Sequence, residues 1–353
     1  MNQFRLPYHL VVAKGAFEHV ADHLGEEFDR IPMKKVILVT EENLQKIFAD
    51  RIEKILKDFP LHEIYLIKEA SYDQAAALAK YITMNDIACV IGFGGGTVLD
   101  LAKFAAFVSK TTLISLATTL SNDSLSSPVA VLGTEGKARK TFRCTIPDAI
   151  LVDTDVIRSA PKRQLLAGIG DTVAKYTALH DWKLAGSVGR ERVDDFAYMI
   201  SKVAFSSICN HERGNVEDPD FIKDLTRALV LGGLAMEIAG SSRPSSGSEH
   251  LFCHALEENF SEEVSIPHGI AVAMGSYGAT IFQNRNLPKI TAVLKKYEIP
   301  VKPSDWNLRE EVFVKAWQQA SETRSDRYTV LNETDLSDSR LSEIYYNMEE
   351  VFS

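Results

Sequence analysis

The first third of the chain alternates short apolar runs with segments of helical periodicity. β-branched and aliphatic residues dominate the runs, as is typical of strands, and alanine-rich amphipathic segments separate them. The predicted strands are residues 34–40, 62–68 and 87–93, and the predicted helices are 42–56, 72–84 and a segment ending near 109. Strands and helices in strict alternation with short joints predict a parallel sheet covered on both faces. Ligands of such sheets bind at the carboxyl ends of the strands.

The pattern changes after the fourth predicted strand, which begins at residue 111 and runs into a loop rich in Ser, Thr, Asn and Asp. A hairpin is predicted over 128–143, with its turn at 135–137, and a last strand over 149–157. Beyond residue 158 the apolar positions follow helical spacing, with helices predicted in 164–185, 192–209 and 221–240. We therefore expect an α/β domain over 1–157, an all-helical domain over 158–353, and a hinge between 153 and 161.

Composition and charge narrow the class of partner. The 353 residues are 45% hydrophobic and 25% charged, which suffices for a core in each of two domains. Acidic and basic residues are interspersed and the net charge is −9, which argues against nucleic acid or an anionic membrane and favours a small-molecule substrate. Four widely spaced cysteines and the lack of a leader or long apolar run predict a soluble cytoplasmic protein with free thiols.

A glycine-rich segment, GFGGGTVLD at 92–100, follows the third predicted strand. Gly94, Gly95 and Gly96 allow close backbone approach to a bulky anion, and the following helix offers free N–H groups. Thr97 stands where the usual dinucleotide motif has its last glycine, and the segment lacks the lysine of a P-loop. A phosphate cradle is predicted; a plain turn with a capping box between Thr97 and Asp100 is the alternative, and the two are compatible.

Histidines concentrate in residues 241–269, SSRPSSGSEHLFCHALEENFSEEVSIPHG. His250 and His254 lie one turn apart on a predicted helix, so their side chains share a face. His268 follows in a Pro-His-Gly turn. Imidazoles bind metals and move protons near neutral pH, so the cluster indicates a metal or proton-transfer site. An amphipathic helix with two ordinary histidines is the alternative.

Three segments together resemble one enzyme superfamily: GGGTVLD, GIGDTVAKYTALHDWKLA with Asp171, and the segment from His250 to His268. They are similar to the superfamily of iron-containing alcohol dehydrogenases, glycerol dehydrogenase and 3-dehydroquinate synthase. DTDVIRSAP and SSRPSSGSEH look like its sn-glycerol-1-phosphate dehydrogenase branch. The resemblance covers about residues 34–275. It implies a Rossmann-like dinucleotide-binding domain, a helical metal- and substrate-binding domain, and an active site in the cleft between them.

The resemblance also implies a metal site. Its ligands map to Asp171, His250 and His268, for which zinc or iron is the expected metal. His254 becomes a candidate catalytic proton relay. The alternative is that it supports a metal ligand from behind or only packs within the helix. Asp171 could otherwise be a helix N-terminal acid.

The same resemblance implies a nicotinamide site. The glycines and Thr97 would hold the pyrophosphate, while the segment after the fourth strand would line the ribose and nicotinamide. Glu41 would accept a hydrogen bond from the adenosine ribose and favour NAD over NADP. The alternative is that Glu41 is an exposed acid in the first turn of a helix. The predicted cofactor-binding residues are Glu41, Gly94, Gly95, Gly96, Thr97, Thr118, Thr119 and Leu120.

The substrate residues are less sharply defined. Asp123 matches a polyol-contacting position of the family and is predicted as a substrate and catalytic residue, with Ser127 and Ser126 as weaker candidates. Arg243 is a candidate for holding a substrate phosphate. Three other basic residues, in the predicted hairpin, could do so or be surface charge: Lys137, Arg139 and Arg143.

Two departures from the family pattern bear on the activity. The segment HGIAVAMGS, which begins at His268, lacks the acid and the Gly-rich run usual in that branch. Lys175 stands in place of the extra histidine ligand of classical iron-containing alcohol dehydrogenases. The leading hypothesis is a metal-dependent NAD(P)-linked dehydrogenase interconverting dihydroxyacetone phosphate and sn-glycerol 1-phosphate. The alternatives are a glycerol or polyol dehydrogenase, a dehydroquinate-synthase-like cyclase and a non-catalytic relative. A homo-oligomer is expected.

Overall fold

The computed structural model describes residues 4–25, 34–59, 61–134, 139–212 and 215–353. The chain divides into two compact units: residues up to Lys162 with Glu217–Glu237, and Arg163–Val216 with Ile238–Ser353. We call them the first and second unit. The first unit carries the strands β1 (His9–Ala13), β2 (Val36–Glu41), β3 (His62–Ile67), β4 (Cys89–Gly94), β5 (Thr112–Ala117), β6 (Val129–Gly133), β7 (Arg139–Arg143) and β8 (Ala149–Asp153).

The helices of the first unit are α1 (Val20–Leu24), α2 (Glu42–Ile47), α3 (Ala49–Leu56), α4 (Tyr72–Met84), α5 (Gly96–Ser109), α6 (Thr154–Ser159) and nearly all of α10 (Pro219–Ala239). The second unit is built from α7 (Lys162–Val173), α8 (Lys175–Ser187), α9 (Asp195–Cys209), α11 (Ser248–Asn259), α12 (His268–Phe282), α13 (Leu287–Lys296), α14 (Glu310–Gln319) and α15 (Asp338–Val351).

The first unit is organised around a six-stranded parallel sheet in the order β1-β8-β5-β4-β2-β3. Every residue of β4 and β8 is buried, as expected for central strands covered by helices on both faces. The edge strand β3 alternates exposed and half-buried positions along most of its length. The sheet and its flanking helices confirm the predicted Rossmann-like class of the N-terminal part.

Element boundaries of the first unit follow the sequence pattern with three differences. Helix α4 matches its predicted range, and β6 pairs with β7 as the predicted hairpin, although the turn at 135–138 lies outside the described residues. The predicted helix 42–56 is divided at Phe48, and the predicted strand 149–157 ends at Asp153, whose carboxylate caps α6 by accepting from Asp155 N. Strand β1, which was not predicted, pairs in parallel with β8.

The second unit confirms the helical prediction for the C-terminal part: among its described residues it contains α helices and short 3-10 turns and no strand. The helix predicted over 164–185 is divided at Ala174, which keeps right-handed helical angles between α7 and α8. No helix in the described part of the chain is long and apolar enough to cross a membrane.

A close crossing of α7 and α12 prepares the candidate metal site. A Cβ on Gly170 would overlap the carbonyl of Gly269, and a Cβ on Gly269 would overlap the carbonyl of Ala167. Glycine at both positions therefore lets the two backbones touch. Because Asp171 and His268 directly neighbour these glycines, the crossing sets how far apart their side chains lie.

Candidate functional site

Three predicted metal ligands converge within the second unit. Asp171 on α7, His250 on α11 and His268 at the start of α12 each offer a ligand atom, and these atoms lie within 4.8 Å of one another. Asp171 Oδ1 is 3.5 Å from His250 Nε2. Asp171 Oδ2 is buried and has no hydrogen-bond partner among the described residues. Two imidazole nitrogens and a carboxylate with an unsatisfied oxygen suit a divalent transition metal, so the donor set fits such an ion.

The Nδ1 atom of His250 is fixed by a buried acid. Glu249 Oε1 lies 2.9 Å from this nitrogen and also accepts from Gly247 N at 2.6 Å, while its Oε2 accepts from the Thr177 hydroxyl at 2.7 Å. With Nδ1 held by Glu249, the Nε2 atom of His250 is turned toward Asp171. A carboxylate behind a ligating imidazole fixes its tautomer and orientation and raises its basicity.

His268 has a comparable support on its Nδ1 side. Glu257 Oε1 is 3.0 Å and Cys253 Sγ is 3.3 Å from His268 Nδ1. Burial opposes protonation of His268, but the charges and hydrogen bonds of Cys253 and Glu257 raise its pKa well above the usual value. The Nε2 atom is left for a ligand.

Nearby positive charges keep the carboxylate of Asp171 ionised. Burial acts to raise the pKa of Asp171, but the hydrogen bond from His250 and the positive charges of Lys175, His250 and His268 outweigh it and hold the pKa at about 2. A carboxylate that stays ionised through the physiological range can bind a cation without first losing a proton.

His254 lies beside the ligands without joining them. Its ring centroid is 6.2 Å from those of both His250 and His268. Burial lowers its pKa well below the usual value, and the charges of His250 and His268 act in the same direction. Its Nδ1 has no partner among the described residues. The open nitrogen is the acceptor that the predicted relay requires, although the lowered pKa makes this imidazole a weaker base.

The predicted phosphate loop lies in the first unit, between β4 and α5. β4 ends at Gly94 and α5 begins at Gly96, so the first-turn N–H groups of α5 follow the carboxyl end of a central strand. A Cβ on Gly95 would lie 2.9 Å from Thr119 Oγ1, which leaves no room for a side chain there. The helix has no side-chain cap, so the alternative capping box is not formed. Asp100 instead accepts from Val131 N at 3.0 Å and pairs with Lys103 at 3.0 Å.

The other predicted cofactor residues collect around this loop. Thr118 N donates to Gly94 O at 3.0 Å, and Thr118 Oγ1 is buried without a partner among the described residues. Leu120 is buried, and Glu41 is the last residue of β2, the neighbour of β4. The unsatisfied polar atoms and the glycine turn without side chains lie at the carboxyl ends of the strands, and both features fit the binding of a dinucleotide.

The predicted substrate residues have different surroundings. In the first unit, Asp123 is half-buried and begins a 3-10 turn after β5, while the Ser127 hydroxyl lies 3.2 Å from both Lys103 Nζ and Val129 O. These bonds occupy Ser127, so its substrate role stays a prediction that the bonding does not favour. Ser126 is similarly engaged with the carbonyl of Leu229 at 3.1 Å.

Arg243, in the second unit, is buried and already paired. Its Nε is 2.6 Å from Glu191 Oε2, and its Nη2 donates to Tyr328 O at 2.7 Å. Its Nη1 is without a partner among the described residues. Of the hairpin residues, Arg139 and Arg143 lie on β7, and Lys137 lies outside the described residues.

Three acids around the site were not predicted from the sequence: Glu249 and Glu257, which contact the far nitrogens of the two histidines, and Asp181. Asp181 accepts from Ser248 N at 2.7 Å and from Val330 N at 3.0 Å, and burial together with the charge of Glu249 raises its pKa to about 6. Glu249 adjoins a predicted ligand in the sequence, which was a usable signal. Nothing local marks Asp181, because its partners are far along the chain.

Comparison with known proteins shows which class of protein this chain resembles. A family model described as iron-containing alcohol dehydrogenase matches residues 11–161. Among solved structures, a probable glycerol dehydrogenase from Sinorhizobium meliloti shares the fold with a TM-score of 0.78 at 19% identity, covering 100% of this chain and 99% of that one. The glycerol dehydrogenase of Schizosaccharomyces pombe gives 0.79 at 18% identity, covering 100% and 91%.

Curated relatives narrow the assignment to a family. A glycerol-1-phosphate dehydrogenase (NAD(P)+) of Hyperthermus butylicus is 32% identical over 96% of this chain and 95% of its own length. One of Sulfurisphaera tokodaii is 35% identical over 85% of each chain. The chain therefore belongs to the glycerol-1-phosphate dehydrogenase family, within the iron-containing alcohol dehydrogenases.

Proposed function

We propose that this protein is a metal-dependent NAD(P)-linked dehydrogenase that interconverts dihydroxyacetone phosphate and sn-glycerol 1-phosphate. One observation carries the proposal: Asp171, His250 and His268 form an intact ligand set with an unsatisfied carboxylate oxygen, in a chain of this family. A non-catalytic relative would have no reason to keep the ligand atoms within 4.8 Å of one another with carboxylates behind both imidazoles.

The residues of the second unit would organise the reacting group. A divalent cation, zinc or iron, would supply Lewis acidity toward the substrate oxygen, and the dinucleotide would supply or accept the hydride. Asp171, His250 and His268 would hold the cation, and Glu249 and Glu257 keep the two imidazoles oriented through Nδ1. His254 would accept or return the proton at its open Nδ1.

The first unit would hold the dinucleotide. The pyrophosphate would lie against the Gly94–Gly96 turn and the start of α5, with Thr118 and Thr119 beside the ribose and nicotinamide. Glu41, at the end of β2, would accept from the adenosine ribose and favour NAD. Asp123 would contact the polyol hydroxyls.

The test is a set of assays of the zinc- or iron-loaded protein. NADH and NADPH are each combined with dihydroxyacetone phosphate and with dihydroxyacetone. The reverse reaction is run on glycerol with NAD+ and with NADP+, and nicotinamide absorbance is followed in every assay. We expect turnover with dihydroxyacetone phosphate, a lower kcat/KM with the unphosphorylated ketone, and loss of activity on chelation. Absence of turnover on every substrate by metal-loaded protein would refute the proposal.

The ligand set has a separate test. His268→Ala removes one of three ligands, so we expect stoichiometric metal binding to be lost while the helical circular dichroism is retained. Retained stoichiometric binding, measured by atomic absorption after gel filtration, would show that the set is wrong. His23→Ala, in α1 of the first unit, is the matched control and should bind metal as the wild type does.

A further inference from the structure

Helix α9 of the second unit has two faces that carry apolar side chains. One face is buried and consists of Ala197, Ser201, Ala204, Phe205 and Ile208. On another face, Phe196, Met199 and Val203 are 57%, 63% and 55% exposed. Their spacing of three and then four residues aligns these side chains along one line of the helix. We call Phe196, Met199 and Val203 the α9 stripe.

The α9 stripe is a contiguous patch and not a set of scattered side chains. Single exposed apolar residues are normal on a protein surface, whereas three large ones aligned over two helical turns lie next to one another. Ile200, four residues after Phe196, is half-buried and borders the stripe. A helix with one buried and one exposed apolar face is suited to pack against a partner as well as against its own core.

Two opposite charges border the stripe along one side. Asp195 and Lys202 are exposed and lie seven residues apart, so they share that side and are separated by about two turns. Neither of them forms an ion pair with another described residue. Asp194 caps the helix by accepting from Ala197 N at 2.9 Å, which fixes Asp195 in the first helical turn. The stripe therefore has a negative border near its amino end and a positive border near its carboxyl end.

The two borders complement each other when two copies of α9 pack antiparallel. A two-fold axis that crosses the seam at Met199 sets the amino half of one helix beside the carboxyl half of the other. Asp195 of each copy then lies beside Lys202 of the second copy, and the two stripes pack against each other next to these ion pairs. In a parallel pair, the charged sides of the two helices would lie on opposite sides of the seam. The stripe is therefore self-complementary in the antiparallel orientation.

We propose that the α9 stripe binds a second copy of this chain, with the two α9 helices antiparallel about a two-fold axis. A second copy is the occupant because the charges on the border match the stripe itself, so a pair of copies forms two ion pairs across the seam. Aromatic and methionine side chains, such as Phe196 and Met199, are enriched in protein interfaces. The inference does not depend on the proposed function, since α9 carries none of the proposed ligands.

Charge exchange between copies tests the proposal, with metal-loaded chains in sedimentation velocity over a concentration series. Asp195→Lys sets lysine against lysine in both pairs, and Lys202→Asp sets aspartate against aspartate. We expect each variant alone to associate at least about tenfold more weakly than the wild type. In an equimolar mixture of the two variants, opposite charges meet in both pairs, so association should return to about the wild-type level. A folding defect in either variant could not produce this recovery.

Two more variants separate the stripe from the protein surface in general. Met199→Glu places a charge at the seam and should reduce the number of chains per particle, with helical circular dichroism unchanged. Lys315→Asp reverses an exposed lysine on α14 and is the matched control, expected to associate as the wild type does. A monomeric wild type, charge variants that associate like the wild type, or a mixture that stays dissociated would overturn the proposal.

Discussion

Each candidate metal-binding histidine is oriented by a carboxylate on its far nitrogen, but the two carboxylates differ in burial. Glu249 is fully buried and its two oxygens take three hydrogen bonds, whereas Glu257 is about a quarter exposed, at 27%. An acid held by three donors cannot turn away from His250 when a metal leaves. We infer that Glu249 preorganises His250 more strongly than Glu257 preorganises His268.

Replacing Glu249 by Gln tests this at the level of one side chain. The amide keeps the size but removes the charge; its oxygen can still accept from Gly247 N and His250 Nδ1, but its NH2 group cannot accept a hydrogen bond from the Thr177 hydroxyl. We expect metal affinity to fall by roughly tenfold to a hundredfold, as measured by competition with a chelator. Glu311→Gln, an exposed acid on α14, should leave the affinity unchanged. Equal affinities for wild type and Glu249→Gln would contradict the inference.

The sequence predicts the chemistry of a single residue more reliably than it predicts the groups to which that residue is bonded. His250 and His268 could be predicted as ligands because the family motif lies within one short segment, while helical spacing indicated only that His250 and His254 share a face. Ser127 and Arg243 were predicted as substrate residues, yet their hydroxyl and guanidinium groups bond to Lys103 and Glu191, which are far away in the sequence. Such pairings arise only when distant elements pack, so spacing along the chain does not reveal them.

Two helices that touch through glycine set the width of the metal site. Asp171 on α7 and His268 on α12 neighbour the crossing of Gly170 and Gly269. Any side chain at the crossing would separate the backbones and move the two ligand atoms apart. The geometry of the site therefore depends on residues that carry no functional group.

Gly269→Ala tests this dependence at the level of the helix pair. The added methyl would overlap the carbonyl of Ala167, so α7 and α12 must separate, at an expected cost of about 1–3 kcal/mol in the free energy of unfolding. We also expect weaker metal binding, because His268 moves with α12. Gly133→Ala, where the new Cβ meets nothing closer than 3.5 Å, is the control for both chemical denaturation and metal titration. A variant with wild-type affinity would show that the crossing does not control the site.

Secondary structure could be predicted where the residues of one element alone show the pattern of a helix or a strand. The continuous apolar run of β4 and the alanine-rich α4 were recognised because burial on both faces and helical periodicity are visible locally. Strand β1 has five residues and is followed by a turn at Gly15, but it is a strand because β8, far along the chain, pairs with it. The divisions at Phe48 and Ala174 fall on residues other than Gly or Pro, so the sequence carried no such local signal for them.

At the scale of the whole molecule, motif order along the chain was sufficient to recognise the family, but it did not reveal how the chain divides in space. Helix α10 follows the first helices of the second unit in sequence and yet packs with the first unit, where Ser126 donates to Leu229 O. A Cβ on Gly233 would meet Ser126 Oγ and backbone atoms, so α10 lies directly against that loop. The prediction of a single boundary at 157/158 assigned every later helix to the second domain, so it could not place α10 with the first unit.

Buried acids link the stability of the second unit to pH. Asp181 is fully buried, and burial and the charge of Glu249 raise its pKa from 3.8 to about 6 despite the N–H groups of Ser248 and Val330. The folded state therefore binds this proton more tightly than the unfolded state does. Its contribution to stability is full below about pH 4 and is lost as the pH rises through about 6.

Asp181→Asn removes this titration from the metal-free protein. A difference of about two pKa units at about 1.4 kcal/mol per unit predicts that, between pH 4 and 6, the wild type loses up to roughly 3 kcal/mol relative to the variant. All three tryptophans, Trp182, Trp306 and Trp317, belong to the second unit, so tryptophan fluorescence in urea with chelator reports its unfolding. The exposed Asp305→Asn is the control. Parallel pH profiles for wild type and Asp181→Asn would mean that Asp181 is ionised in the folded protein throughout this range, with the buried amide N–H donors stabilising its charge.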